Sequence, residues 1–317
     1  MEIIIESRGK TFDISHLCSD VEWKTEINKA ATLKVNVQKV DELAFFEGDT
    51  IKLTDKDRKL FKGYIFKKER DKNQIIEITA YDQLRYLKNK DTFIFKNKTA
   101  TEIATHIFKQ FQLKYKEVEN TSFKIDKLVE DNKTLLDIIQ GALDLTLVNT
   151  GKIYIMYDDF GHITIKNIDN LRTDLVIGDE SLATNFKYTT SIDNDVYNKI
   201  KLFKDNKKTG KRDTYIVYDS NNIKKWGILQ YTEKLNEKIL EGKAKQQAEN
   251  LLKVRNRLRR TLSIDCIGDI RLRAGNSVGV FIKDLGDISV NQLMIIDSVT
   301  HKWKGNHHTM DLNLIYE

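Results

Sequence analysis

At 317 residues, with 40% hydrophobic and 32% charged side chains, the chain is long enough for two or three domains with real cores and is no disordered polymer. No stretch approaches the ~20 apolar residues of a membrane span, and MEIIIESRGK lacks the basic flank and apolar run of a secretory signal, so cytoplasmic synthesis is expected. A net charge of +6, from 53 basic and 47 acidic residues, is too mild to argue for nucleic acid, and Cys18 and Cys266 make no disulfide framework.

Residues 1–90 read almost entirely as strand, with EIIIES and TFDI joined by RGK, and VEWKTEIN leading to TLKVNV (32–37). LFKGYIFKKER and NQIIEITAYD follow, joined by the polar turn DKN. Proline is absent, so turns fall to Gly, Asn and Asp. Many short strands with turn signals predict a barrel, which leaves fewer adhesive edges than an open sheet.

The texture changes near residue 91. KTATEIATHIFKQFQL (98–113) has Thr99 or Thr101 as cap and Ile103, Ile107, Phe108 and Phe111 at helical spacing. NKTLLDIIQGALDLT (132–146) repeats the design with Thr134 as cap, and KIYIMYDDFGHITIKN (152–167) is a hairpin with Asp158–Gly161 at its tip. This predicts a small α+β insert over 91–170.

From about 171 the strands return as NFKYTTSID, DVYNKIKLF and DTYIVYD, with the basic loop DNKKTGKR (205–212) between the last two. DSNNIKKWGILQYTEKLN (219–236) leads to a helix expected at about 238–256, whose Leu240, Ala244, Ala248, Leu251 and Leu252 form an apolar stripe. The stripe is expected to pack on the strands that follow, TLSIDC (261–266) and SVGV (277–280).

Those strands echo the first half. TLKVNV, TIKL, FKGYIF and QIIEITAYD occur in the same order as TLSIDC, SVGV, LMIIDSV and HTMDLNLIY, with Gly48 and Gly275 each preceding the second strand. The pattern predicts an internal duplication, two similar tube-type barrels within a mainly β chain: 1–90 and 171–317, with the insert between. Gly48 and Gly275 are the structural turn candidates, placed where a Cβ would be penalised.

Chemistry-bearing constellations are sparse. Gly9-Lys10-Thr11 lacks the earlier glycine of a phosphate loop, that position being Ile4. His301, His307, His308 and Asp311 read as the ends of two strands around a Lys-Gly-Asn turn, with the histidines near a rim rather than converging on a metal. His16, His106 and His162 are isolated. The pairs Asp158/Asp159 and Asp193/Asp195 suit solvated turns, and the cysteines lie in strand-like segments as core thiols. KVRNRLRR (253–260) gives the long helix a cationic end that complements its dipole. Catalytic, cofactor and metal residues are therefore expected to be none.

The order barrel, helical insert, second barrel, with Ser/Asn-x-x-Lys-x-Trp-Gly at 220–227 and Leu-Arg-x-Gly at 272–275, resembles the baseplate hub proteins of phage-type contractile tails, XkdQ/YqbQ-like group. Arg273-Ala274 stands where some members place proline before the glycine. The resemblance implies a structural virion or tail-like bacteriocin component that adapts a sixfold tail tube to a threefold spike and initiates tube assembly. Its partners would be two further copies in a homotrimer, the tube protein, the central spike and other baseplate proteins, with DNA passing through the lumen if the particle carries it. A tail-associated wall-binding module or peptidoglycan hydrolase is the alternative.

Overall fold

The computed structural model describes residues 1–178, 182–193, 195–206, 210–237, 239–285 and 288–316. Residues 207–209 of the expected basic loop and residues 179–181 lie outside the described residues. Alternation of buried and less buried side chains, clearest in the first, third, fourth and fifth, builds the first seven strands. They are β1 (Glu2–Ser7), β2 (Lys10–Asp13), β3 (Cys18–Glu26), β4 (Thr32–Gln38), β5 (Thr50–Asp55), β6 (Arg58–Arg70) and β7 (Ile75–Tyr81). Their hydrogen-bonded order is β3-β4-β7-β6-β5-β1-β2. Ile5 on β1, Trp23 on β3, Leu33 on β4, Leu53 on β5 and Ile78 on β7 share one buried cluster. Strands five places apart can meet in a single core only if the sheet is rolled.

The next segment mixes helix and strand: β8 (Lys90–Thr99), α1 (Ala100–Gln110), β9 (Tyr115–Val118), β10 (Lys124–Thr134), α2 (Leu135–Thr150), β11 (Tyr154–Asp158) and β12 (Ile163–Asn167). Of the two cap candidates, Thr99 holds the helix in a capping box. Its hydroxyl accepts from Glu102 N at 3.2 Å, and the Glu102 carboxylate accepts from Thr99 N at 2.9 Å. Thr134 accepts from Asp137 N at 3.1 Å, which starts α2.

The chain continues with β13 (Arg172–Gly178), β14 (Ala183–Ser191), β15 (Lys199–Asn206), β16 (Lys211–Tyr218), α3 (Ser220–Trp226), β17 (Gln230–Lys234) and α4 (Glu241–Arg255). It ends with β18 (Arg259–Ile267), β19 (Ser277–Leu285), β20 (Ile288–Lys304) and β21 (His307–Tyr316). Among the described residues thirteen strands join one sheet, ordered β14-β18-β21-β20 and then β3-β4-β7-β6-β5-β1-β2, with β19 pairing β20 and β13. The seam is antiparallel, and its register sets Ser298 opposite Glu26 and Trp303 opposite Val21. The fold is mainly β with an α+β portion.

Two compact units are present. One comprises residues 1–144, 152–187 and 262–317; the other comprises 145–151 and 188–261. In the second, α4 corrects an expectation: it packs on β15 and β16, where Ala244, Ala248 and Leu251 meet Ile200, Leu202 and Tyr215. SVGV, and TLSIDC from residue 262 on, belong to the first unit. Leu240 is also no part of the stripe; it caps the helix and is 69% exposed. A stripe read from sequence specifies a buried face but not which sheet it meets.

The four-strand order recurs geometrically. β4-β7-β6-β5 and β18-β21-β20-β19 have the same neighbours in the same sequence. The β6–β7 ladder slips between Ile65 and Lys67, and the β20–β21 ladder slips between Ile296 and Ser298.

Candidate functional site: the glycine turns and the buried polar joint

Gly48 and Gly275 occupy matching positions. Gly48 N–H donates to Ile65 O at 2.7 Å while Ile65 N–H donates to Asp49 O at 2.9 Å; Gly275 N–H donates to Ile296 O at 2.8 Å while Ile296 N–H donates to Asn276 O at 2.9 Å. Their φ angles are +90° and +91°, a region that favours glycine. Space separates them. A Cβ on Gly48 would meet nothing within 4 Å, whereas one on Gly275 would lie 1.9 Å from Ile155 Cδ1.

Beside Gly275 lies a polar joint that the sequence did not announce. Asp82 is buried, accepting from Ala31 N at 2.8 Å and from Leu84 N at 2.9 Å. Gln83 next to it donates to Gly161 O at 2.6 Å and to the Asp158 carboxylate at 3.1 Å, and accepts from Lys114 N at 2.9 Å. Arg273 donates to the Asp158 backbone oxygen at 3.2 and 3.3 Å, with its guanidinium 3.8 Å from the Tyr157 ring centre. Ala274 N–H donates to Thr25 Oγ1 at 2.9 Å. The first strand set, the β11–β12 hairpin and the 272–276 turn are thereby tied together.

Burial pushes the Asp82 carboxyl well above the ordinary range, and the nearby Asp158 adds to it. Burial likewise raises Asp158, while hydrogen bonds from Gly161 and Gln83 hold it back. Desolvation pushes Arg273 down, opposed by Tyr157 and the surrounding carboxyls. The expected solvated turn at Asp158 is thus corrected: the residue does form the turn, accepting from Gly161 N at 2.6 Å, but it is buried. Asp193 and Asp195 lie elsewhere in the chain, in the second unit.

The histidine expectation changes too. His301 is fully buried, not at a rim. Its Nε2 lies 2.9 Å from Leu272 O, a pure acceptor, so Nε2 carries the proton and Nδ1 accepts from His308 Nε2 at 3.0 Å. Trp23 stacks on His301 at 5.0 Å between centroids, and Trp303 on His308 at 4.4 Å. Burial drives the His301 pKa to about 4 and lowers that of His308. Both His301 nitrogens are engaged, which leaves it no lone pair for a cation. Among the described residues no group of three or more His, Cys, Asp or Glu could hold a metal ion. Burial pushes both Cys18 and Cys266 to about 12, so at neutral pH these thiols stay protonated and poorly nucleophilic. What the joint can do is hold chain segments in register.

A sequence profile described as YqbQ-like matches residues 21–315. An uncharacterized Bacillus subtilis (strain 168) protein, YqbQ, is 32% identical over 272 residues, covering 85% of this chain and 81% of that one. The phage-like element PBSX protein XkdQ of the same strain is 31% identical, covering 85% and 82%. In fold, the 43 kDa tail protein of prophage MuSo2 from Shewanella oneidensis superposes with a TM-score of 0.72 at 13% identity, over 99% of this chain and 98% of that one.

Proposed function

Because the chain belongs to the YqbQ-like family, we propose that it is a structural baseplate hub, adapting a sixfold tail tube to a threefold spike in a phage tail or tail-like bacteriocin and initiating tube assembly. The observation that carries this reading is the recurrence of one strand arrangement, β4-β7-β6-β5 and β18-β21-β20-β19, with the same glycine bonds. Two similar barrels per chain, one within 1–90 and one within 171–317 with the insert 91–170 between, give six similar units from three chains. Such a ring meets sixfold and threefold neighbours at once, and symmetry closes it. The recurrence is best explained by internal duplication.

Its partners on this reading are two further copies, the tube protein, the spike and other baseplate proteins. Its place is the virion baseplate or a released particle, after cytoplasmic synthesis. The phage-like element to which one relative belongs and the tail protein whose fold this chain shares support a tail component, and no helix of the described residues is long and apolar enough to cross a membrane. The function is architectural, without catalysis or cofactor; a cleared band on a peptidoglycan zymogram would overturn that part. The central test is symmetry analysis of cryo-EM images at the tube–spike junction. Three copies around the axis are expected, and six would sink the adaptor.

A further inference from the structure

The seam inside one chain specifies how two chains should join. Along β20, β19 takes one edge of the first half and β3 takes the same role for 298–304. Its counterpart β6 has β5 along 58–64, yet along 66–70 β7 alone pairs with it among the described residues, which leaves the other edge of that stretch without a strand partner there. At the other end of the sheet, among the described residues, β14 pairs with β18 alone. Open edges of this kind are templates for another strand.

The counterpart of β14 in the first half is β3. Both have nine residues, and each lies beside its Thr-Leu strand. Asp20 sits opposite Asn36, and Asn185 Nδ2 donates to Asp265, which holds the place of Asn36, at 3.1 Å. Aligning NFKYTTS (185–191) with DVEWKTE (20–26) sets Tyr188 on Trp23 and Thr190 on Thr25, so Asn185 matches Asp20 and Ser191 matches Glu26. The side chains differ in cover. Val21, Trp23 and Thr25 are each 3% exposed under the seam, while their matches Phe186 and Thr190 are exposed and Tyr188 is half-buried. Trp23 stacks on His301 of β20, and among the described residues β14 has no strand in the place that β20 takes beside β3.

Resting on the hub reading, we propose that β14 of one copy adds antiparallel to the 66–70 edge of β6 in the next copy. The seam sets the register: Ser298 faces Glu26, the slipped ladders equate Ile65 with Ile296, and so Lys67 faces Ser191 and Glu69 faces Thr189. The occupant of each edge is a second copy of this chain, because the same chain already makes that pairing with itself.

The test is disulfide cross-linking in purified particles assembled from two co-expressed single variants, Lys67→Cys and Ser191→Cys, under copper phenanthroline. Residues facing one another across an antiparallel pair have Cα atoms about 4.5–5.5 Å apart, within disulfide reach. Lys187→Cys replaces Ser191→Cys in the control; four residues of strand move it roughly 13 Å away. A two-chain band from the first pair and none from the control is expected. If the first pair blocks assembly, Glu69→Cys with Thr189→Cys reads the same register. Three copies around the axis with no in-register band, or with a band from the control, overturns the edge pairing and leaves the hub reading standing. Six copies overturns the hub reading, and the pairing falls with it.

Discussion

Gly275 donates its backbone N–H to Ile296 O at 2.8 Å, from a turn with φ +91° whose missing Cβ makes room for Ile155. The equivalent bond from Gly48 to Ile65 has the same backbone and an empty surround. One turn type thus serves two levels of crowding.

That difference predicts unequal costs. Gly48→Ala should cost about 1 kcal/mol, the penalty of a left-handed backbone alone. Gly275→Val should cost about 3 kcal/mol or more, because the new side chain also collides with Ile155. Urea unfolding of the two variants measures this, and equal losses would show that the contact with Ile155 relaxes freely.

Arg273 is the cation of a joint whose carboxyls, Asp82 and Asp158, both have raised pKa values. Arg273→Met should destabilise by about 3 kcal/mol at neutral pH, by leaving buried negative charge without its partner. The loss should shrink on acidification as those carboxyls protonate. A cost that is the same at pH 7 and pH 5 would remove the electrostatic explanation.

His301 titrates in the opposite sense. Its folded pKa is held at about 4 against an ordinary 6.5, so the folded chain binds fewer protons than the unfolded one between those values. Stability present at neutral pH is lost as pH falls from about 6.5 towards 4, by about 3 kcal/mol in full. Asp82 and Asp158 gain over the same range, so the comparison must be with His301→Gln. The advantage of the native chain over that variant should be largest at pH 7 and dwindle by pH 4.5; a constant gap means that His301 does not titrate as described.

Packing of α4 can be checked at two leucines. Leu251 is buried against β15 and β16, and Leu251→Ala should cost about 2–4 kcal/mol. Leu240→Ser, at a site 69% exposed, should leave the melting temperature within about 1 °C. A large effect at Leu240 would place it in contact with something this chain alone does not supply.

Strands were the legible part. Leu33, Val35 and Val37 alternate with polar neighbours because a strand turns each side chain to the opposite face, and that period is written in the residues themselves. The start of α1 was legible as far as two cap candidates, Thr99 and Thr101, because a cap is set by bonds within a few residues. The recurring strand order could be seen because it preserves the order of local signals.

Other features depended on which distant segments meet. Asp82 reads only as the end of the strand segment NQIIEITAYD, and only folding brings Asp158 and Arg273 to it and removes the water that would otherwise set its pKa. His301 reads as a strand end near a turn; the tertiary structure gives it Leu272 and Trp23 as neighbours and buries it. The stripe of α4 specified a buried face, yet the choice of β15 and β16 over β18 and β19 was made by packing. The seam of β3 on β20 pairs residues some 280 positions apart, as in Trp23 opposite His301, and no periodicity can encode a partner at that separation. Local sequence determines the conformation of each element because its forces act over one turn or one pleat. Long-range contacts decide the register between elements, since only the folded chain brings those groups within hydrogen-bonding distance.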